Sequence, residues 1–262
     1  MMQILVINGS PKGKGNTYKV VEKLEEAVKK RDNDIEFNYL HLKDINLGMC
    51  KGCYACLSVG EDKCPLQDDR HMVEEAMEKA DCVIFATPVY VMNVTGLFKN
   101  FIDRFAYICH RPKFHGKKAW IICSTGALGT EITARICEMG PMSWGFDVVG
   151  HLGVMTSKGL SEEEMRIQWE KIDSATEKMA NKMVKVLKKK TLPKASLFKL
   201  CAFKLQRASF GRADRAQADY KYWKDKGWLE PGCKFFIEAK INPLAQLLSN
   251  VIAFFMIKNT SN

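Results

Sequence analysis

Short apolar runs alternate along this chain with longer stretches in which apolar residues recur every three or four positions. Residues 3–8 (Gln3-Ile4-Leu5-Val6-Ile7-Asn8) form a near-continuous apolar run, the pattern of a parallel strand buried on both faces. Residues 16–31 place Val20, Leu24, Ala27 and Val28 on one helical face, with Lys and Glu elsewhere. Ile35, Phe37 and Tyr39 alternate and predict a second strand over 35–42, followed by an irregular stretch, 43–69, that holds four cysteines. A short helix is expected over 71–79, with Asp68 placed to cap it. A buried strand follows at 82–87, ending at Pro88, then a helix over 96–107. Strands at 118–124 and 144–155, with a helix at about 130–139 between them, precede a long charged helix at 161–188. Five alternations of strand and helix predict an α/β fold, a doubly wound, mostly parallel five-stranded sheet covered on both faces. In such sheets ligands bind beyond the carboxyl ends of the strands.

The pattern changes after residue 187. Pro193 to Arg212 interleaves Leu197, Phe198, Leu200, Phe203 and Leu205 with lysines and arginines, and aromatic pairs follow at Tyr222-Trp223 and Phe235-Phe236. Asn242-Pro243 opens an apolar helix expected over Leu244–Ile257. That is about fifteen residues, fewer than the ~20 a membrane span needs.

Charge marks the same boundary. The 262-residue chain has 40 Lys/Arg and 30 Asp/Glu, a net +10. Residues 188–262 hold 15 of the basic and 5 of the acidic residues, so 1–187 is neutral and the whole excess sits in the tail. We therefore divide the chain at 187/188, with 188–262 as a basic, aromatic-rich, helical C-terminal extension. The N-terminus shows no signal-peptide pattern, and ten cysteines without one predict reduced thiols in a cytoplasmic protein rather than a disulfide framework.

Three predicted strand ends bear unusual loops. Gly9-Ser10-Pro11-Lys12-Gly13-Lys14-Gly15-Asn16-Thr17 joins a buried strand to a helix start. Small residues let the backbone approach a ligand, and the first-turn N–H groups and helix dipole favour an anion. The loop matches neither the phosphate-binding pattern closed by Gly-Lys-Ser/Thr nor the G-x-G-x-x-G dinucleotide pattern, and suits one terminal phosphate held largely by neutral donors. Thr87-Pro88-Val89-Tyr90-Val91-Met92-Asn93 and Ser124-Thr125-Gly126-Ala127 offer apolar edges and backbone donors for a flat heterocycle. The five histidines, at 41, 71, 110, 115 and 151, show no ligand spacing.

Gly9-Ser10-Pro11 with Gly15-Asn16-Thr17, then Thr87-Pro88-Val89-Tyr90, then Lys99 and Asp103-Arg104, resemble the NAD(P)H-dependent FMN reductases of the flavodoxin-like fold. The resemblance covers about residues 1–187. It implies non-covalently bound FMN, NAD(P)H as co-substrate and a homodimer or tetramer. On the matching positions it implies that Ser10, Lys12, Asn16 and Thr17 hold the FMN phosphate. Pro88, Val89, Tyr90, Met92 and Asn93 would line the isoalloxazine, and Ser124, Thr125 and Gly126 its other edge. Lys99, Asp103 and Arg104 are expected at a dimer contact.

The cysteine run is Cys50-x2-Cys53-x2-Cys56-x7-Cys64-Pro65. It resembles the iron–sulfur flavoprotein branch of the same family, and its start and closing Cys-Pro resemble bacterial ferredoxins. Three readings of these thiols stay open: a [4Fe–4S] cluster on all four, which the spacing favours, a structural zinc, or a metal-free loop. The other six cysteines are expected as small core hydrophobes.

The expected activity is an FMN-dependent NAD(P)H oxidoreductase passing electrons to a quinone, a small molecule or a ferredoxin-like protein, with no side-chain general base required. The alternative is a flavodoxin-type electron carrier without nicotinamide turnover, against which the neutral charge of 1–187 counts. For the tail we expect oligomer core or a wrap over the domain, with Trp223 or Trp228 covering the flavin. Peripheral contact with an anionic membrane is the second reading. No nucleic-acid-binding motif is present, and nucleic acid is not an expected partner.

Overall fold

Continuous apolar runs can be satisfied only between two helical layers, and the chain builds such a sandwich. The computed structural model describes residues 1–189, 192–212, 214 and 217–260. In chain order the elements are β1 (Met2–Asn8), α1 (Asn16–Lys29), β2 (Ile35–His41), α2 (Ala55–Ser58), α3 (Arg70–Lys79), β3 (Cys82–Pro88), α4 (Gly96–Arg104), β4 (Lys118–Thr125), α5 (Thr130–Ser143), β5 (Asp147–Met155) and α6 (Glu162–Lys188). The tail adds β6 (Lys194–Ala195), α7 (Leu197–Phe210), α8 (Gln217–Asp225), β7 (Lys240–Ile241) and α9 (Pro243–Thr260).

The five long strands are parallel, in the order β2-β1-β3-β4-β5. This is the flavodoxin-like order, with its reversal between β1 and β3. Period-two alternation divides each strand between two cores. Leu5, Ile7, Val83, Phe85 and Ile121 meet an aromatic layer that includes Phe98, Phe101 and Trp144. Ile4, Val6, Ile84, Trp120 and Ile122 meet Val20 and Leu24 of α1 and Met179 and Met183 of α6. A capping box starts α6, with Ser161 accepting from the Glu164 N–H and the Glu164 carboxylate accepting from the Ser161 N–H.

Several expectations are corrected. The fifth strand starts at Asp147, not 144, because Trp144 and Phe146 turn inward around Gly145 at φ +105°. The apolar pattern of Phe105, Tyr107 and Ile108 continues past α4, yet the chain tightens there into a 3₁₀ turn over Ala106–Cys109. Helix α5 runs to Ser143 with Pro141 inside its last turn. Asp69, not Asp68, is the N-cap residue of α3, and it makes no side-chain cap bond. Asp68 accepts from the Arg70 N–H at 3.3 Å but is chiefly paired with Arg104. Arg104 is only 4% exposed and so cannot serve the expected dimer contact, while Lys99 and Asp103 pair with each other on the exposed side of α4. Of the six cysteines expected in the core, Cys82, Cys123 and Cys137 are buried, while Cys109, Cys201 and Cys233 are only half-buried; burial pushes the Cys123 thiol up to about 12.

The tail has its own core of Leu200, Phe203, Trp223, Trp228, Phe235 and Phe236. Trp223 donates Nε1–H to the His110 carbonyl at 2.8 Å, and Trp228 to the Phe236 carbonyl at 2.9 Å. Both indoles are thus enclosed beside the loop entering β4, at the opposite end of that strand from Ser124-Thr125, and do not cover a flavin. Among the described residues no helix is long and apolar enough to cross a membrane.

His115 stacks on Phe236 with centroids 4.0 Å apart, and burial pushes its pKa down to about 3. The unfolded chain, at about 6.5, binds the proton more tightly. This contribution to stability is therefore intact above pH ~6.5 and is lost as pH falls toward 3, at about 1.4 kcal/mol per pH unit. Urea unfolding between pH 7 and 5 followed by tail tryptophan fluorescence will show this slope, and His115→Phe will flatten it; an equal slope in both proteins refutes the assignment.

Candidate functional site at the carboxyl ends of the strands

The turn after β1 is shaped from within. Asn8 is buried; its Oδ1 accepts from the Ser10 N–H at 3.0 Å and its Nδ2 donates to the Gly13 carbonyl at 2.9 Å. The same amide lies 3.0 Å from His41 Nδ1. Burial lowers the His41 pKa, consistent with a neutral ring whose Nδ1 accepts from Asn8. Gly9 allows close approach: a Cβ there would stand 2.7 Å from Phe98 Cδ2. Thr95 Oγ1 donates to the Gly9 carbonyl at 2.7 Å while also capping α4, which fixes the first two loops together.

Helix α1 then starts at Asn16 with Gly15 as its N-cap, and no side chain caps it. Its first-turn N–H groups are left for a ligand, and with the helix dipole they form an anion site. Ser10 Oγ accepts from the Lys12 N–H, and Ser10 is buried at the turn. Thr17 Oγ1 and Ser124 Oγ are 2.6 Å apart and buried, so one hydroxyl donates to the other and a single hydroxyl proton remains for a ligand. Asn16 Nδ2 donates to the Thr156 carbonyl at 3.3 Å. The structure thus joins the first and third loops, and Asn16 and Thr17 bridge loops as well as facing the anion site.

The second loop is a two-residue hairpin turn. Tyr90 and Asn93 exchange N–H···O bonds at 2.9 and 3.1 Å, and Val91 and Met92 both have positive φ, +50° and +59°. Such turns are normally built from Asn and Gly, and a β-branched residue in this region is strained. The Val89 N–H donates to the Ser124 carbonyl at 2.8 Å, which sets the second loop against the third. Gly129, at φ +98°, would bring a Cβ 2.8 Å from Met92 Sδ. In the third loop Thr125 Oγ1 donates to the Leu128 carbonyl, and Gly126 has open space above it. Tyr90, Val91, Met92 and Leu128 stay exposed, so the three loops edge an open shelf.

The cysteine stretch forms a second centre. Cys50, Cys53, Cys56 and Cys64 line one cavity of about 280 Å³ with Pro65, Arg70 and Arg104. Burial pushes the Cys56 thiol up; Cys64, Cys50 and Cys53 push the same way and Arg111 opposes them. Left-handed backbone at Gly52 (φ +61°) and Tyr54 (φ +59°) wraps the loop around the cavity. Among the described residues no three of His, Cys, Asp and Glu are grouped to hold a single metal ion.

Three buried side chains anchor this loop: Asn100 and Arg111, which sequence reasoning missed, and Arg104, which it expected at a dimer contact. Asn100 accepts from the Cys50 N–H and donates to the Leu47 and Gly48 carbonyls. Arg104 donates to both Asp68 oxygens, at 2.8 and 2.9 Å, and to the Gly48 carbonyl. Arg111 bonds the Cys56 carbonyl and pairs with Glu61 and with Asp219 of α8. Asn100 and Arg104 sit at i and i+4 on one face of α4, a spacing visible in the sequence, whereas Arg111 had no local signal.

A reversed parallel sheet with an uncapped helix N-terminus and two further loops at its carboxyl edge defines a flavodoxin-like mononucleotide-binding protein. The family model "NADPH-dependent FMN reductase" matches residues 2–158, and the chain belongs to that family; its class is flavoprotein oxidoreductase. An iron-sulfur flavoprotein of Clostridioides difficile is 32% identical over 190 residues, 72% of this chain and 81% of that protein. One from Archaeoglobus fulgidus is 46% identical over 103 residues, 39% of this chain and 48% of that protein. Among solved structures, the NAD(P)H:quinone oxidoreductase from Methanothermobacter marburgensis aligns with a TM-score of 0.51 at 19% identity, over 68% of this chain and 96% of that one, a likeness of fold. The family match stops before the tail.

Two measurements test this construction. Val91→Asn with Met92→Gly relieves the turn and will stabilise the flavin-free protein by about 1–2 kcal/mol in urea unfolding; an unchanged or lower midpoint refutes the strain. Arg104→Ala leaves the Asp68 carboxylate buried and unpaired, and will cost about 3–5 kcal/mol. A loss below 1 kcal/mol would show that the pair does not hold the loop.

Proposed function

We propose that the chain is an NAD(P)H oxidoreductase that binds FMN on the three-loop shelf and electron-transfer iron at the cysteine cavity. The observation that carries the flavin site is the uncapped start of α1 beside Ser10 and the Thr17–Ser124 hydroxyl pair. Backbone N–H groups of Asn16, Thr17 and Tyr18 hold the phosphate, Ser10 and Thr17 add hydroxyls, and Lys12 adds a solvent-side positive charge. Pro88, Val89, Tyr90, Met92 and Asn93 form one wall for the ring, and Ser124, Thr125 and Gly126 the other. FMN, when bound, supplies hydride acceptance and one- or two-electron donation. The protein orients it, and the open shelf leaves room for a nicotinamide or a quinone. No side chain is required as a proton donor or base.

For the cysteine centre, four sulfurs around one cavity support a multi-atom group, a [4Fe–4S] cluster on Cys50, Cys53, Cys56 and Cys64, over a single zinc ion. The names of the clostridial and archaeal relatives support the same reading. Arg104 and Arg111 supply positive charge behind the sulfurs. The separate core of the tail supports division at 187/188, with residues 188–262 as an appended unit. The exposed rim of Val91, Met92 and Leu128 supports a homodimer or tetramer as the working unit.

The test is an anaerobic visible spectrum of the purified protein, with flavin, iron and sulfide analysis. We expect one FMN per chain, broad absorption beneath the flavin bands and about four iron. Colourless protein whose extract lacks FMN refutes the flavin site; flavin bands without iron refute the cluster and leave the flavin reading standing. Thr17→Ala will weaken FMN binding by about tenfold, as removal of a hydrogen bond to a charged group does. Cys56→Ala will abolish the broad absorption and keep the flavin bands. Steady NADPH oxidation with a quinone separates the reductase from a one-electron carrier, which would show none.

A further inference from the structure

Helix α9 is packed inside out. In a globular protein the large apolar residues of a helix turn to the core. Here the small residues do: Ser249 and Ala253 are buried, and α9 lies against α7. Leu244, Leu247, Val251, Phe254 and Phe255 face outward, each between 48% and 63% exposed. Phe198 of α7 adds a further exposed ring, 73% exposed. An apolar surface of this kind marks an interaction face.

The charge around that face has one sign. Residues 188–212 hold eight Lys/Arg and no Asp/Glu, and residues 239–262 hold two Lys and again no acid. The segment between them, 213–238, has five of each sign. The positive excess of the whole protein therefore lies in the two stretches that contain α7, α9 and the β6–β7 ribbon. Lys194 and Lys240 are register neighbours in that ribbon, side by side and exposed, and neither makes an ion pair among the described residues. Like charges in adjacent strand positions repel each other, so this arrangement favours an anion above them. The two lysines edge a cavity of about 640 Å³ that continues into the apolar face through Leu244 and Leu248.

We propose that the α7–α9 layer docks on an anionic lipid surface. The outward face of α9 lies in the headgroup region of the bilayer, parallel to it, and Lys194 and Lys240 sit over lipid phosphates. The helix does not cross: no described helix is long and apolar enough to do so. A helix with one apolar face, flanked by lysines and free of acids, has the chemistry of an interfacial anchor. A second copy of the chain suits the face less well. Two such layers placed together would oppose their positive charges, with no carboxylate in either stretch to pair with them. The inference stands apart from the flavin and cluster readings, because its readout needs neither group.

Co-sedimentation of the purified holoprotein with lipid vesicles tests it. We expect pelleting with phosphatidylcholine vesicles containing phosphatidylglycerol at low salt, less at physiological salt, and none with pure phosphatidylcholine. Phe254→Asp with Phe255→Asp will abolish pelleting while flavin content and near-ultraviolet circular dichroism stay as in the unaltered protein. Lys194→Gln with Lys240→Gln, two surface changes that leave the packing alone, will weaken binding to anionic vesicles by about thirty-fold. The proposal is overturned by no pelleting with anionic vesicles at low salt, by equal pelleting with neutral ones, or by unaltered pelleting of both variants. Light scattering that shows an oligomer dissolved by the Phe254/Phe255 substitutions, with no vesicle binding, would assign the face to a second copy instead.

Discussion

A parallel strand cannot reach its neighbour by a tight turn. Each crossover has to run back along the sheet, and so every loop that follows a strand emerges at the same edge. This constraint brings residues 9–17, 88–93 and 124–129 together from three distant parts of the chain. The reversal of strand order between β1 and β3 then opens a gap that no crossover covers. Within it the loops are joined to one another by Thr17 with Ser124, by Val89 with Ser124 and by Thr95 with Gly9. The shelf is therefore one hydrogen-bonded unit, and the strain at Val91 and Met92 is held by its neighbours rather than relaxed locally.

The cysteine loop solves a different problem. Its apolar contacts with the core, through Ile45, Leu47, Cys56 and Leu57, are only partly buried, and buried polar groups fasten it further. Asn100 and Arg104 hold both its ends, at Gly48–Cys50 and at Asp68, to α4, and Arg111 holds α2 to α8. Each guanidinium is paired with a carboxylate and a carbonyl, which offsets the cost of removing it from water. Four thiols are thereby kept around one cavity, which Arg70 and Arg104 also line.

Local pattern made much of this legible. The runs at 3–8, 82–87 and 118–124 are strands because they are apolar on both faces, and both faces are indeed covered. Where the reading slipped, apolar residues were present for packing rather than for periodic structure. Trp144 and Phe146 fill the aromatic core from a turn, and Tyr107 and Ile108 do so from a 3₁₀ segment. The loops of the shelf were placed by their strands, but the bonds among them join residues up to 107 positions apart and leave no local trace. The same holds for Arg111, whose hydrogen-bond partners Cys56 and Asp219 are 55 and 108 positions away. In the tail, composition announced an apolar helix, yet which side faced the solvent depended on α7.

Arg111 joins the cysteine loop to α8, so the two segments are thermodynamically coupled. One side chain bonds the backbone of Cys56 and the carboxylate of Asp219, so ordering either segment fixes the guanidinium for the other. Linkage is reciprocal: the coupling free energy by which an ordered cysteine loop favours α8 equals that by which an ordered α8 favours the loop. The cysteine loop and α8 therefore share part of a single unfolding equilibrium, although the cores of the sheet and of the tail are built from different residues.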